Sequence, residues 1–111
     1  MVEQRTAVLD SAYGALADAT RRAILELLRG GEQRVTDLAR HFPVSLNAVS
    51  KHVRILERAG LVRREVRGRN HFLIAEPAAL LPASDWIDHY RDFWESRADA
   101  LAAHLANRVK P

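Results

Sequence analysis

Between Pro43 and Gly60 the chain holds one helical period, and directly after Gly60 that period changes to two. Ser45 is placed to N-cap a helix over Leu46 to Ala59, and Gly60 is placed to stop it. At 100° per residue Val49, Val53 and Leu56 share one face, and Asn47, Lys51, Arg54 and Arg58 share the opposite one. Leu61 to Arg67 and Asn70 to Ala75 then alternate as two strands around Arg67-Gly68-Arg69-Asn70. Val62 and Val66 share a face of the first strand; Phe72 and Ile74 share one on the second. A helix that is half apolar and half amide and cation, joined without a linker to a basic hairpin, leaves few topologies open.

The preceding segments are punctuated as clearly. Thr6 to Ala17 reads as a helix with Val8, Leu9, Ala12 and Leu16 as its apolar positions. Asp18 is a good N-cap for Ala19 to Arg29, whose inward stripe is Ala23, Ile24, Leu27 and Leu28, with Gly30 as its C-terminal cap. Thr36 is placed to cap a short helix over Asp37 to Phe42, with Leu38, Ala39 and Phe42 inward, and Pro43 ends it. The last helix is expected from about residue 84 to 107, capped by Ser84 or Asp85. The fold expected is mainly α with a small β-hairpin: a winged helix-turn-helix of five helices and a two-stranded wing. It forms a single domain over 1–111, with the helix-turn-helix at about 36–59, the wing at about 61–75 and a C-terminal dimerisation helix at about 84–107.

Composition narrows the function. The chain has 111 residues and no cysteine, which excludes disulfides, thiolate metal sites and cysteine nucleophiles. The net charge of +3 is uneven, because 13 of the 17 basic residues lie in residues 1–75. A pI near 9.9 with this asymmetry points to an anionic partner, double-stranded DNA first. No apolar run is long enough to cross a membrane, so a cytoplasmic protein without a membrane partner is expected. No phosphate loop, nucleophile elbow or recognisable catalytic pair is present, so no catalytic residue, no cofactor and no enzyme activity is expected.

A major-groove helix needs an apolar anchor on one side and hydrogen-bonding groups on the other. Asn pairs with adenine, Arg and Lys with guanine, and both cations with phosphate. Ser45, Leu46, Asn47, Ser50 and Lys51, near the helix start, are the candidates for bases, with Arg54 and Arg58 tending toward the backbone. Arg63, Arg64, Arg67 and Arg69 make the hairpin basic, and Arg67 and Arg69 flank the tip, where a wing meets phosphate or a minor groove. A basic edge that merely discourages strand pairing is the plainer reading of the same residues. In the last helix Trp86, Tyr90, Phe93 and Trp94 continue into Leu101 and Leu105 at spacings of three and four. So rich a face requires a partner surface, and a homodimer sharing it with Val8, Leu9 and Ala12 of the first helix is expected. An apolar effector held between the aromatics is a further reading. His52 reads as a hydrogen-bonded boundary residue, and no short metal-ligand spacing occurs, so no metal site is expected.

The run Leu16-Ala17-Asp18-Ala19-Thr20-Arg21-Arg22-Ala23-Ile24-Leu25 resembles the opening motif of the ArsR/SmtB family of winged-helix repressors. Ser45-Leu46-Asn47-Ala48-Val49-Ser50-Lys51-His52-Val53-Arg54-Ile55-Leu56, followed by Ala59-Gly60-Leu61-Val62, is similar to its recognition helix and wing entry. Arg67-Gly68-Arg69 with Phe72 and Leu73 resembles its wing. The resemblance covers about residues 9–107. It implies a homodimeric repressor on an inverted-repeat operator, with the first and last helices at the dimer interface and a small-molecule effector releasing DNA. The chain departs from the family at Ala19, where proline is commonest, and at Thr36 to His41, where metal sensors carry cysteines. That places it with the branch lacking the cysteine motif. Two alternatives stay open: a winged-helix module that binds protein, and a repressor sensing a metal through Asp88, His89 and His104.

Overall fold

The computed structural model describes residues 2–109. Its α-helices are α1 (Val2–Leu16), α2 (Ala19–Leu28), α3 (Val35–Ala39), α4 (Leu46–Arg58) and α5 (Leu81–Val109). The strands are β1 (Gln33–Arg34), β2 (Val62–Arg67) and β3 (Asn70–Ala75), and Pro77–Leu80 forms a 3-10 turn. The chain divides after Leu81 into two compact units.

The first unit carries the core. Ile24 and Leu28 of α2, Leu38 of α3, and Val49, Val53 and Leu56 of α4 close on Leu61, Val62 and Leu73 at the base of the hairpin. The stripe expected on α4 is the buried one, with Val49, Val53 and Leu56 all at 0% exposure. Ser45 caps α4 as anticipated: its Oγ accepts the Ala48 N–H at 3.1 Å. Gly60 ends α4 with φ +76°; its N–H donates to the Glu57 carbonyl, and the Leu61 N–H reaches back to the Leu56 carbonyl at 3.0 Å. That pair of bonds reverses the chain and delivers Leu61 into the core before β2 begins.

Four expectations need correction. The sheet has three strands, not two, in the order β1-β3-β2 and antiparallel throughout. Gln33 pairs with Leu73 and Arg34 with Phe72, too short a run to show a period in sequence. The inward face of β3 carries Leu73, while Phe72 and Ile74 share the other face, as the alternation implied. Arg64 lies opposite Leu73 and Val62 opposite Ala75, so these four share one side, and Leu73 is fully buried. α3 starts at Val35 and has no side-chain cap, so Thr36 is not its N-cap. Val35 enters directly from β1, and Arg34 instead fastens Asp37 with bonds of 2.9 and 3.3 Å. The left-handed position after α2 is Gly31 (φ +129°), not Gly30, because the Gly31 N–H folds back to the Leu28 carbonyl. α5 begins at Leu81, so neither Ser84 nor Asp85 caps it; the 3-10 turn before it has already set the helical path.

The second unit is α5. Trp86 stacks on Tyr90 with ring centres 5.6 Å apart and planes within 8°. Tyr90 and Phe93 each meet Trp94 edge-on, at 6.1 and 6.2 Å. Arg97 lies 4.9 Å over the Phe93 ring. The four rings and Leu101 and Leu105 are each about half exposed.

Because Leu73 and not Ile74 points inward, truncating the two has unequal cost. Leu73→Ala lowers stability by about 3 kcal/mol, and the half-buried Ile74→Ala by about 1 kcal/mol, both read from the urea midpoint at unchanged slope.

Candidate nucleic-acid interface

The site begins at the joint between α1 and α2. Only Ala17 and Asp18 separate these helices, so the last carbonyls of α1 need partners from elsewhere. Arg21 supplies them: its Nε donates to the Ala15 carbonyl at 2.8 Å and its Nη2 to the Gly14 carbonyl at 2.9 Å. Arg22 Nη1 donates to the Leu16 carbonyl at 2.7 Å. Asp18 caps the other helix, with Oδ2 accepting the Arg21 N–H at 3.1 Å. The remaining Arg21 nitrogen, Nη1, lies 3.2 Å from Nδ1 of His52 on α4 and donates there when the ring carries its proton on Nε2. His52 is therefore the hydrogen-bonded boundary residue expected of it. The joint fastens one flank of α4.

With one flank of α4 turned to Arg21, the other faces the wing. Glu57 accepts Arg64 Nη2 at 2.8 Å and Nε at 3.3 Å, and Arg64 Nη1 lies 3.0 Å from His71 Nδ1. Between the flanks, Asn47, Lys51, Arg54 and Arg58 are exposed and have no ion pair among the described residues. Leu46 and Ser50 line a groove between α4 and the wing, together with Arg34, Thr36, Arg69 and Asn70. Seven of the nine sequence-predicted contact residues thus lie on α4 or its cap, on its outward face and wing flank.

The two wing residues separate. Arg69 is exposed and unpaired among the described residues. Arg67 is held on three sides. It makes a two-pronged pair with Glu32 at 2.9 and 2.8 Å, a bond to Glu65 at 3.0 Å, and a stack over the Phe72 ring at 4.5 Å. These bonds raise the Arg67 pKa further above its ordinary range, and the Arg67 bond holds the Glu32 carboxyl below its usual value. Arg63 is likewise held, by Glu76 at 2.7 Å and Glu65 at 3.4 Å. Sequence reasoning missed Glu32 as the anchor of the wing tip, and Arg21 and Arg22 as the seal of α1. The second had a readable signal, two arginines just after an N-cap that follows a two-residue helix junction. The first had none, since 35 positions separate Glu32 from Arg67.

Of the predicted dimer residues, Val8, Trp86, Tyr90, Phe93, Trp94, Leu101 and Leu105 are exposed, Leu9 is half-buried and Ala12 is already buried. His89 and His104 stand about 22 Å apart along α5, so one chain cannot bring both to one ion. Among the described residues no three His, Cys, Asp or Glu side chains cluster as metal ligands. No helix among them is long and apolar enough to cross a membrane.

A helix-turn-helix whose second helix shows unpaired cations beside a hairpin defines a winged-helix DNA-binding protein. A family model described as a helix-turn-helix domain matches residues 16–65. The HTH-type transcriptional regulator Rv2034 of Mycobacterium tuberculosis is 41% identical over 81 residues, covering 73% of this chain and 76% of that protein. The transcriptional repressor SdpR of Bacillus subtilis is 30% identical, covering 71% and 88%. The crystal structure of an ArsR family transcriptional regulator, RHA00566, superposes with a TM-score of 0.77 at 33% identity, over 82% of this chain and 94% of that one. A solution structure from Mycobacterium bovis, described as a homodimeric winged helix-turn-helix DNA-binding domain, gives 0.60 at 26% identity, over 83% and 84%. The chain belongs to the ArsR family of winged helix-turn-helix proteins and is a DNA-binding transcriptional regulator.

Two outcomes test the geometry. Arg67→Ala frees the wing tip, and amide exchange at Val66 to His71 speeds at least tenfold, while Arg69→Ala leaves it unchanged. The swap of Arg67→Glu with Glu32→Arg restores part of the protection. The Arg21 N–H bond and, next to it, His52 and Arg21 hold the Asp18 carboxyl below its ordinary value of 3.8. A depressed carboxylate adds stability that is complete above 3.8 and is lost as pH falls through the lowered native value. Asp18→Asn therefore flattens the acid limb of the stability profile below about pH 4, as measured by urea titration at stepped pH.

Proposed function

We propose that this regulator is a homodimeric repressor that reads an inverted-repeat operator. The observation that carries the reading is the outward face of α4, where Asn47, Lys51, Arg54 and Arg58 stand exposed and unpaired while neighbouring arginines are neutralised. In this reading α4 enters the major groove. Asn47, Ser50 and Lys51 approach bases, Arg54 and Arg58 grip the backbone, and Arg69 at the wing tip meets an adjacent phosphate or minor groove. Arg67 acts by holding that tip in place. Of the expected contacts, Ser45 contributes mainly by capping α4.

Dimerisation through α1 and α5 is supported by the half-exposed aromatic face of α5, which is far more apolar than a lone surface helix needs. The homodimeric neighbour and the relative named a repressor support the same reading. Two copies of α4 would reach half-sites about one helical turn apart, ~10 bp or a multiple. A small-molecule effector that changes operator affinity, and a cytoplasmic setting, belong to this reading.

Fluorescence anisotropy with DNA from upstream of the protein's own gene, against a scrambled duplex, tests it. The upstream duplex is preferred. Lys51→Ala with Arg54→Ala weakens it by about 100-fold or more with no loss of helicity. With Arg54, Arg58 and Arg69 of each chain on phosphate, log affinity falls with log salt at a slope of about −5 per dimer. Equal affinity for the two duplexes, or an unaffected double variant, would refute the assignment of α4.

A further inference from the structure

On the wing flank of α4 one side chain does not match its surroundings. Leu46, the first helical residue, is 47% exposed, and Val44 just before the cap is 50% exposed. Neither is among the half-buried side chains that pack on the core. Most of the other side chains around the Leu46 groove are of polar or cationic type, among them Arg34, Thr36, Ser50, Arg69 and Asn70. Scattered apolar residues on a surface need no explanation. Leu46 differs in where it is held. The Ser45 cap fixes the first turn, and that turn is the part of a recognition helix nearest the bases.

A leucine pressed against the floor of a major groove meets hydrogen-bonding atoms at every base edge, and only one base adds a methyl group beside them. That base is thymine, whose C5-methyl offers an apolar surface there. Cytosine presents an amine donor, and guanine and adenine present acceptors, which a leucine would desolvate without replacing. The neighbouring Asn47 is suited to adenine, so the two residues together fit an A·T-rich element rather than a G·C one.

We propose that Leu46 is a specificity-determining residue that recognises the C5-methyl group of a thymine in each half-site. The proposal rests on the docking of α4 given above.

The test uses the full chain and the tightest duplex recovered from a random-sequence selection. Each thymine is replaced singly by deoxyuridine, which deletes only the methyl group. At one thymine or more per half-site the replacement weakens binding by about fourfold, the worth of one buried methyl. In Leu46→Ala the same replacement has no effect, and in Leu46→Met it keeps its effect. Thermal melting confirms that the variants are folded; should Leu46→Ala not fold, Leu46→Gln serves in its place. No sensitive thymine in the unaltered protein, or a penalty that persists in Leu46→Ala, overturns the proposal. A selection that returns no preferred duplex overturns the docking reading with it, before any thymine is replaced.

Discussion

Arg21 is the side chain on which the arrangement depends most. Its guanidinium closes the exposed carbonyl end of α1 at Gly14 and Ala15 and reaches His52 on α4. Its own backbone N–H meanwhile completes the Asp18 cap of α2. Three helices thus meet at one residue, which bonds a polar end or edge of each. A planar fork with five donors on three nitrogens suits this role, whereas a lysine has a single nitrogen with which to reach three separated acceptors. The buried stripe of Val49, Val53 and Leu56 sets which residues of α4 face outward, and the Arg21 contact with His52 fastens one flank of the helix in that orientation.

The wing is held by a different logic. The face of the hairpin nearest α4 buries apolar side chains only at its base, through Val62 and Leu73, and Val66 farther out is exposed. Ion pairs fasten the rest: Arg63 with Glu76 at the base, Arg64 with Glu57 midway, and Arg67 with Glu32 and Glu65 at the tip. Single exposed pairs contribute little, but a two-pronged pair joined to a second carboxylate and a ring forms a network. The third strand assists, since β1 runs beside β3 and begins one residue after Glu32.

Most of this was legible in the sequence where one residue acts through local chemistry. The α4 stripe, the caps at Asp18 and Ser45, the stop at Gly60 and the limits of both long strands follow from periodicity and backbone preference, and all appear. What was hidden is long-range pairing. β1 is two residues long and exists only because β3 lies beside it. Which face of β3 turns inward was not legible either, because apolar residues fill three successive positions, Phe72 to Ile74, so alternation alone cannot pick Leu73. Arg67 and Arg69 look alike in sequence; a carboxylate 35 positions away distinguishes them. A metal site through Asp88, His89 and His104 would need two chains, since 15 positions of one helix separate the two histidines.

The matching of glutamates to wing arginines bears on how such a protein searches a chromosome. Four arginines on the hairpin (Arg63, Arg64, Arg67 and Arg69) stand against Glu32, Glu57, Glu65 and Glu76, so the wing with its fasteners has no net charge. The high pI therefore overstates the field that passing duplex feels. Under the proposed docking, random sequence is held by the few cations of α4 and the tip, and residence there is brief. Long dwell times are then reserved for sites where the base edges themselves fit.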